Sequence, residues 1–259
     1  MTKTVSLHYE DSGAESGPPV LLGGSLGTSG AMWDPQVEVL CKHVRTIAFD
    51  HRGHGSSPAP EGPYAIADLG RDVLALMDRL KLAKASYVGL SIGGMVGQWL
   101  AGNHPERIDK LVLIATSAYL GDGAPWIERA AVVRGAGTTE VVADAVLTRW
   151  FTPHWSTAHH RVVAELREMI CSTPAEGYAA CCDALAALDL RAELTRITAP
   201  TLVIGGAEDL AIPPANQEAI VSAVAGSRLQ LIEDAAHIPT IQHPDTVNEL
   251  IAEHLEVQL

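Results

Sequence analysis

One hexapeptide constrains this chain more than any other stretch: Gly89-Leu90-Ser91-Ile92-Gly93-Gly94. It follows the apolar run 85–88 and leads straight into 95–101, whose residues suit a helix. A strand that must become a helix within a few residues needs small neighbours at the bend, because the turn is too cramped for side chains. The serine between the glycines is then strained, with its hydroxyl exposed at a helix N-terminus where backbone N–H groups favour developing negative charge. A Gly-x-Ser-x-Gly turn is only moderately specific by itself. The strand before it and the helix after it make Ser91 the candidate nucleophile.

A serine hydroxyl is a weak nucleophile, so it needs a base, and the base needs an acid to hold its tautomer. On a strand-turn-helix scaffold both are expected C-terminal to the serine, acid first. Residues 203–213 place a carboxylate in the loop after an apolar run, and Asp209 is taken as the acid, with Glu208 its immediate rival. His237 follows the last apolar run, 229–232, in a loop that can reach over Ser91. His51, His54 and His243 are its competitors among eleven histidines. Two backbone donors must face the oxygen that becomes negative. The N–H of Ile92, next to the nucleophile, is one; the glycine-rich stretch 22–29 supplies the N–H of Leu26 as the other.

Apolar runs at 19–22, 44–49, 85–90, 111–115, 201–204 and 229–232 alternate with helical stretches. That rhythm predicts an α/β fold with a mostly parallel central sheet flanked by helices. The opening 4–9 alternates and precedes a turn-prone 10–13, which predicts an edge hairpin. From 121 to 198 there is no buried-strand pattern, only Ala-rich segments at helical spacing. We expect 121–198 to be a helical cap inserted in a core made of 1–120 and 199–259.

With 47% hydrophobic and 19% charged residues, 259 residues suffice for one sizeable core. A net charge of -13 leaves no basic face for phosphate, so nucleic acid is not an expected partner. The start lacks an apolar leader core and no run approaches the roughly 18 apolar residues of a membrane helix, so a cytoplasmic chain without a membrane partner is expected. Cys41, Cys171, Cys181 and Cys182 have no ligand spacing and are expected to be buried small hydrophobes. Neither a metal nor another cofactor is expected, because no His/Cys cluster, dinucleotide fingerprint or phosphate loop is complete.

Taken together, the Leu26 loop, the run Asp50 to Ser57, the Ser91 turn, the Asp209 loop and His237 resemble the α/β-hydrolase family across nearly the whole chain. Within it, residues 24–33, 89–101, 149–152 and 177–184 are similar to 3-oxoadipate enol-lactonases. That resemblance implies a small anionic lactone, 3-oxoadipate enol-lactone, opened to 3-oxoadipate through an acyl-enzyme. Other members with the same three residues open other small lactones, cleave carboxylic esters, or act as cofactor-free haloperoxidases or perhydrolases; a non-catalytic binding protein would usually lack one of the three. An anionic substrate on an acidic protein also calls for a local cation. Arg149, Arg134 and Arg161 are the candidates, with Trp150 against the ring, although helix neighbours 149 and 150 point about 100° apart.

Overall fold

The computed structural model describes residues 3–259. Among these residues, seven strands form one sheet: β1 (Tyr9–Ser12), β2 (Pro19–Gly23), β3 (Arg45–Phe49), β4 (Ala85–Leu90), β5 (Ile108–Ile114), β6 (Thr201–Gly206) and β7 (Arg228–Ile232). Their order is β1-β3-β2-β4-β5-β6-β7. From β2 to β7 all pairings are parallel, whereas β1 lies antiparallel to β3 at the edge.

The helices are α1 (Asp34–Leu40), α2 (Ile66–Arg79), α3 (Ile92–Asn103), α4 (Ala124–Ala136), α5 (Glu140–Trp150), α6 (Pro153–Ala158), α7 (His160–Ser172), α8 (Ala175–Ala186), α9 (Arg191–Leu194), α10 (Pro214–Ala223), α11 (Pro239–Gln242) and α12 (Pro244–Leu255). Parallel strands are covered on both faces, and β4 and β6 are accordingly buried at every residue. Alternate side chains divide between two apolar clusters. Leu21, Tyr87, Leu111 and Val203 join α2, α3 and α10 on one face; Leu22, Val88, Val112 and Leu202 join α1 and α12 on the other. This is the α/β arrangement that the strand-helix rhythm predicts.

Between β5 and β6 lie α4 to α9 and, among the described residues, no strand. These helices have no separate core. Ala130, Val133 and the buried face of α8 extend the first cluster, while Ala143, Leu147, Leu166 and Ile170 of α5 and α7 extend the second. The inserted helices therefore straddle the sheet. Beside α8, Gly53 and Gly177 approach so closely that a Cβ on Gly53 would lie 2.5 Å from the Gly177 Cα.

The N-terminus corrects the hairpin expectation. Strand β1 occupies the residues read as a turn, and β3, not β2, is its partner, with Tyr9 opposite Phe49 and Ser12 opposite Thr46. Residues 4–8 form no strand because side chains capture their backbone. Val5 N–H donates to Asp72 Oδ1 (2.9 Å) and His8 N–H to Ser57 Oγ (2.9 Å). Asp72 in turn holds buried Arg52, which donates through Nε (2.5 Å) and Nη2 (2.7 Å). The pair ties the loop after β3 to α2. Of the cysteines, Cys181 and Cys182 are buried, but Cys41 and Cys171 are only half-buried, since they sit near helix ends at the surface. No helix among the described residues is long and apolar enough to cross a membrane.

Candidate active site

Ser91 sits between β4 and α3 with φ 57° and ψ -118°, a left-handed conformation that a residue with a side chain adopts only under strain. The flanking glycines are required by space. A Cβ on Gly89 would lie 2.4 Å from Gly93 O, and one on Gly93 would lie 2.1 Å from Gly23 O. The turn is fastened on both sides, because Ser91 N–H donates to Ile114 O (2.9 Å) and Thr116 Oγ1 donates to Ser91 O (2.7 Å). The turn is thus held in place from the end of β5 and the residues just after it.

Asp209 follows β6 and is buried, while Glu208 beside it is exposed. One Asp209 carboxylate oxygen, Oδ1, accepts the N–H groups of Ala211 (2.8 Å) and Ile212 (2.9 Å). The other, Oδ2, pairs with His237 Nδ1 at 2.9 Å. A carboxylate only accepts, so Nδ1 carries the proton and Nε2 is left as the basic nitrogen. The loop holding His237 is itself tied down. Ile238 N–H donates to Trp150 O (3.0 Å), linking it to α5. Gln242 accepts from Ala236 N–H (3.0 Å) and donates to Asp234 O (2.5 Å) and Thr152 Oγ1 (2.9 Å).

The competing histidines have other surroundings. His51 is buried edge-on against Phe49, and burial pushes its pKa down to about 3. His243 Nε2 pairs with Asp234 O at 3.1 Å. His54 is fully buried under the loop after β2, where its Nε2 accepts Gly27 N–H at 2.9 Å.

In that loop three backbone donors are engaged. Ser25 N–H points at Met32 Sδ (3.3 Å), Gly27 N–H at His54, and Thr28 N–H at Ser25 O (3.2 Å). Leu26 N–H has no partner among the described residues. Thr28 Oγ1 also donates to Ser25 O (2.8 Å), and in a trans peptide the N–H points opposite the carbonyl. Leu26 N–H is therefore turned away from Thr28. Ile92 N–H opens α3 and, as a first-turn donor, has no partner within the helix.

Ser91, His237, Ser25, Leu26 and Ala211 line one narrow cavity whose other walls come from the inserted helices: Trp126 and Arg129 of α4, Val146, Arg149 and Trp150 of α5, and Tyr178 of α8. Arg149 and Trp150 both reach it despite their helical offset, because the C-terminus of α5 ends at the cavity. Arg134 does not: it pairs with Glu176 (2.8 Å) and Asp183 (2.6 Å) on the outer surface. Arg161 is exposed on α7 and lies outside the lining.

Arg129, Trp126 and Tyr178 escape the sequence-based candidates. The spacing of Trp126 and Arg129, three apart on a helix whose Val133 is buried, was the signal for a shared face. Arg129 lies over the Trp126 ring at 4.7 Å, and neither it nor Arg149 has a carboxylate partner among the described residues. The buried Tyr178 hydroxyl, beside Arg129, has no hydrogen bond of normal geometry. Burial pushes its phenol pKa up, so it is a neutral donor at the cavity wall.

Comparison with known proteins adds an independent line. A family model described as the alpha/beta hydrolase fold matches residues 18–244. The 3-oxoadipate enol-lactonase 2 of Acinetobacter baylyi is 38% identical, covering 95% of this chain and 92% of that protein. A protein of Variovorax paradoxus, provisionally named carbamate hydrolase RutD, is 32% identical over 96% of each chain. Among solved structures, the enol-lactonase from Burkholderia xenovorans LB400 matches with a TM-score of 0.94 at 42% identity, covering 97% of both chains.

Proposed function

The chain belongs to the α/β-hydrolase-fold family, and within it we propose that this protein opens 3-oxoadipate enol-lactone to 3-oxoadipate with Ser91 as nucleophile, His237 as base and Asp209 as its partner. The observation that carries the substrate class is the cavity lining: Arg129 and Arg149, which have no carboxylate partner among the described residues, share one narrow space with Ser91 and His237. In a protein of charge -13 such a pair is what an anionic substrate requires. The similarity to proteins named enol-lactonases supports the same choice.

Ser91 Oγ attacks the lactone carbonyl while His237 Nε2 takes its proton, and the N–H groups of Leu26 and Ile92 receive the oxyanion. Collapse of the tetrahedral adduct breaks the ring C–O bond, and the proton on His237 passes to the departing enol oxygen. The released enol ketonises, which opposes reclosure. Water, deprotonated by His237, then hydrolyses the acyl-enzyme, so one water is consumed and Ser91 regains its proton. The inserted 121–198 acts as a cap that supplies the anion site.

The test is ultraviolet loss of freshly generated enol-lactone, beside a neutral lactone of similar size, a small carbamate, and peroxide with acetate. We expect rapid loss of enol-lactone that disappears in a folded Ser91→Ala variant. Inert enol-lactone with turnover of the carbamate or the neutral lactone would replace the substrate, and peroxide-dependent activity alone would make the protein a perhydrolase.

A further inference from the structure

We propose that His54 is a positioning residue for the oxyanion site: its Nε2 holds the Gly27 amide and so aims the adjoining Leu26 N–H into the Ser91 cavity. This inference rests on the hydrolase reading of Ser91 and Leu26, and it concerns a side chain that touches neither substrate nor the three reacting residues.

The chemistry of its two contacts sets the tautomer. His54 Nδ1 lies 3.2 Å from Arg52 O. A carbonyl only accepts, so Nδ1 bears the proton and Nε2 is an acceptor. That acceptor meets Gly27 N–H at 2.9 Å. Burial pushes the imidazole pKa down, against an opposing pull from Asp50, so the ring is neutral and its acceptor stays available. The Asp50 carboxylate is itself occupied by Gly30 N–H (2.7 Å) and Ser56 N–H (2.8 Å).

The loop needs such a clamp. Gly27 has φ +84°, directly after the donor residue, and a Cβ there would lie 3.3 Å from the Tyr178 ring. Thr28 fixes the peptide before Leu26 through Ser25 O, and His54 fixes the peptide after it through Gly27 N–H. With both flanking peptides fastened, the Leu26 N–H is preorganised and no reorientation is needed as charge develops. A single misaimed donor weakens the transition state more than substrate binding.

Two polar variants isolate the Gly27 contact. In His54→Gln the amide oxygen reaches the position of Nε2 and still accepts from Gly27. In His54→Asn the amide reaches only the position of Nδ1, keeping Arg52 O and losing Gly27. The activity readout is the rate at which a fluorophosphonate probe labels Ser91, with Ser91→Ala as the unlabelled control. On a hydrolysed ester the same variants are compared in kcat and KM.

We expect His54→Asn to label about tenfold or more slowly, with kcat falling and KM little changed, and His54→Gln to stay within about threefold of wild type. Equal rates in the two variants, or losses confined to KM, would overturn the proposal. A readout free of activity is nitrogen NMR of histidine-labelled wild type, which should show His54 protonated at Nδ1 and coupled through Nε2 to the Gly27 nitrogen. Protonation at Nε2 would overturn the proposal even if both variants failed to fold. Failure of wild type to label at all would instead remove the hydrolase reading, leaving the NMR result to judge the clamp.

Discussion

Asp209 and Glu208 are chain neighbours with the same charge, yet burial and three accepted hydrogen bonds separate them. Only Asp209 can hold an imidazole, so Asp209→Asn should cut kcat by about a thousandfold or more while Glu208→Gln changes it by less than about twofold. Steady-state rates decide it, and the reverse order would move the acid role to Glu208. The cavity arginines carry a second prediction. Removing the guanidinium that meets the substrate carboxylate should cost about 1.4 kcal/mol or more, a tenfold loss in kcat/KM, on the anionic lactone only. Arg129→Ala is expected to show that selectivity more strongly than Arg149→Ala, because Arg129 is the less exposed and stands beside the buried Tyr178 hydroxyl. Equal losses on a neutral lactone would reduce both residues to packing. The letters around position 129 offered only the three-residue spacing from Trp126, and a lone arginine so placed also describes an ordinary solvated helix face.

Between elements, the contact that can be tested most cleanly is Arg52–Asp72, a buried pair joining the loop after β3, α2 and the N-terminal segment. Buried pairs have little net value against apolar replacements, but removing one partner leaves the other buried charge less well compensated. Asp72→Leu and Arg52→Met should each destabilise by about 3–5 kcal/mol, and the double variant should lie nearer wild type than either. Urea denaturation measures the cycle; additive losses would mean that the two residues stabilise the fold independently of one another. The same scale explains the N-terminal correction. Alternation in 4–9 was real, and Leu7 is buried, but Asp72 and Ser57 took backbone groups that a strand would have offered to a neighbour.

For the molecule as a whole, acid sensitivity follows from two buried histidines, His51 and His54, and the half-buried His254. Burial holds His51 at about 3 and pushes His54 and His254 down from their ordinary value. Below about 6.5 the unfolded chain takes up protons on these residues that the folded chain refuses, so unfolding becomes easier as pH falls. For His51 that stabilisation is complete above about 6.5 and is lost progressively toward about 3. The urea midpoint should therefore decline through that window, and His51→Phe should flatten the decline. A slope unchanged in His51→Phe would mean that carboxylates, not this histidine, govern it.

The α/β class, the parallel strands and the strand-turn-helix at Ser91 were determined by the sequence itself, because hydrophobic period and glycine spacing act between residues close in the chain. The chain order of Ser91, Asp209 and His237 was readable for the same reason. That Ser91 and His237 line one cavity, with Asp209 bonded to His237, was not, since the Asp209–His237 contact and the three-strand separation of β4 from β7 arise only when the sheet orders itself. The pairing of Arg134 with Glu176 and Asp183, the arrival of Arg129 beside Tyr178, and the spread of the inserted helices over both apolar clusters were likewise tertiary outcomes. Local rules say which face of a helix is apolar; only packing against distant elements decides which of its charged residues are paired at the surface and which line the cavity.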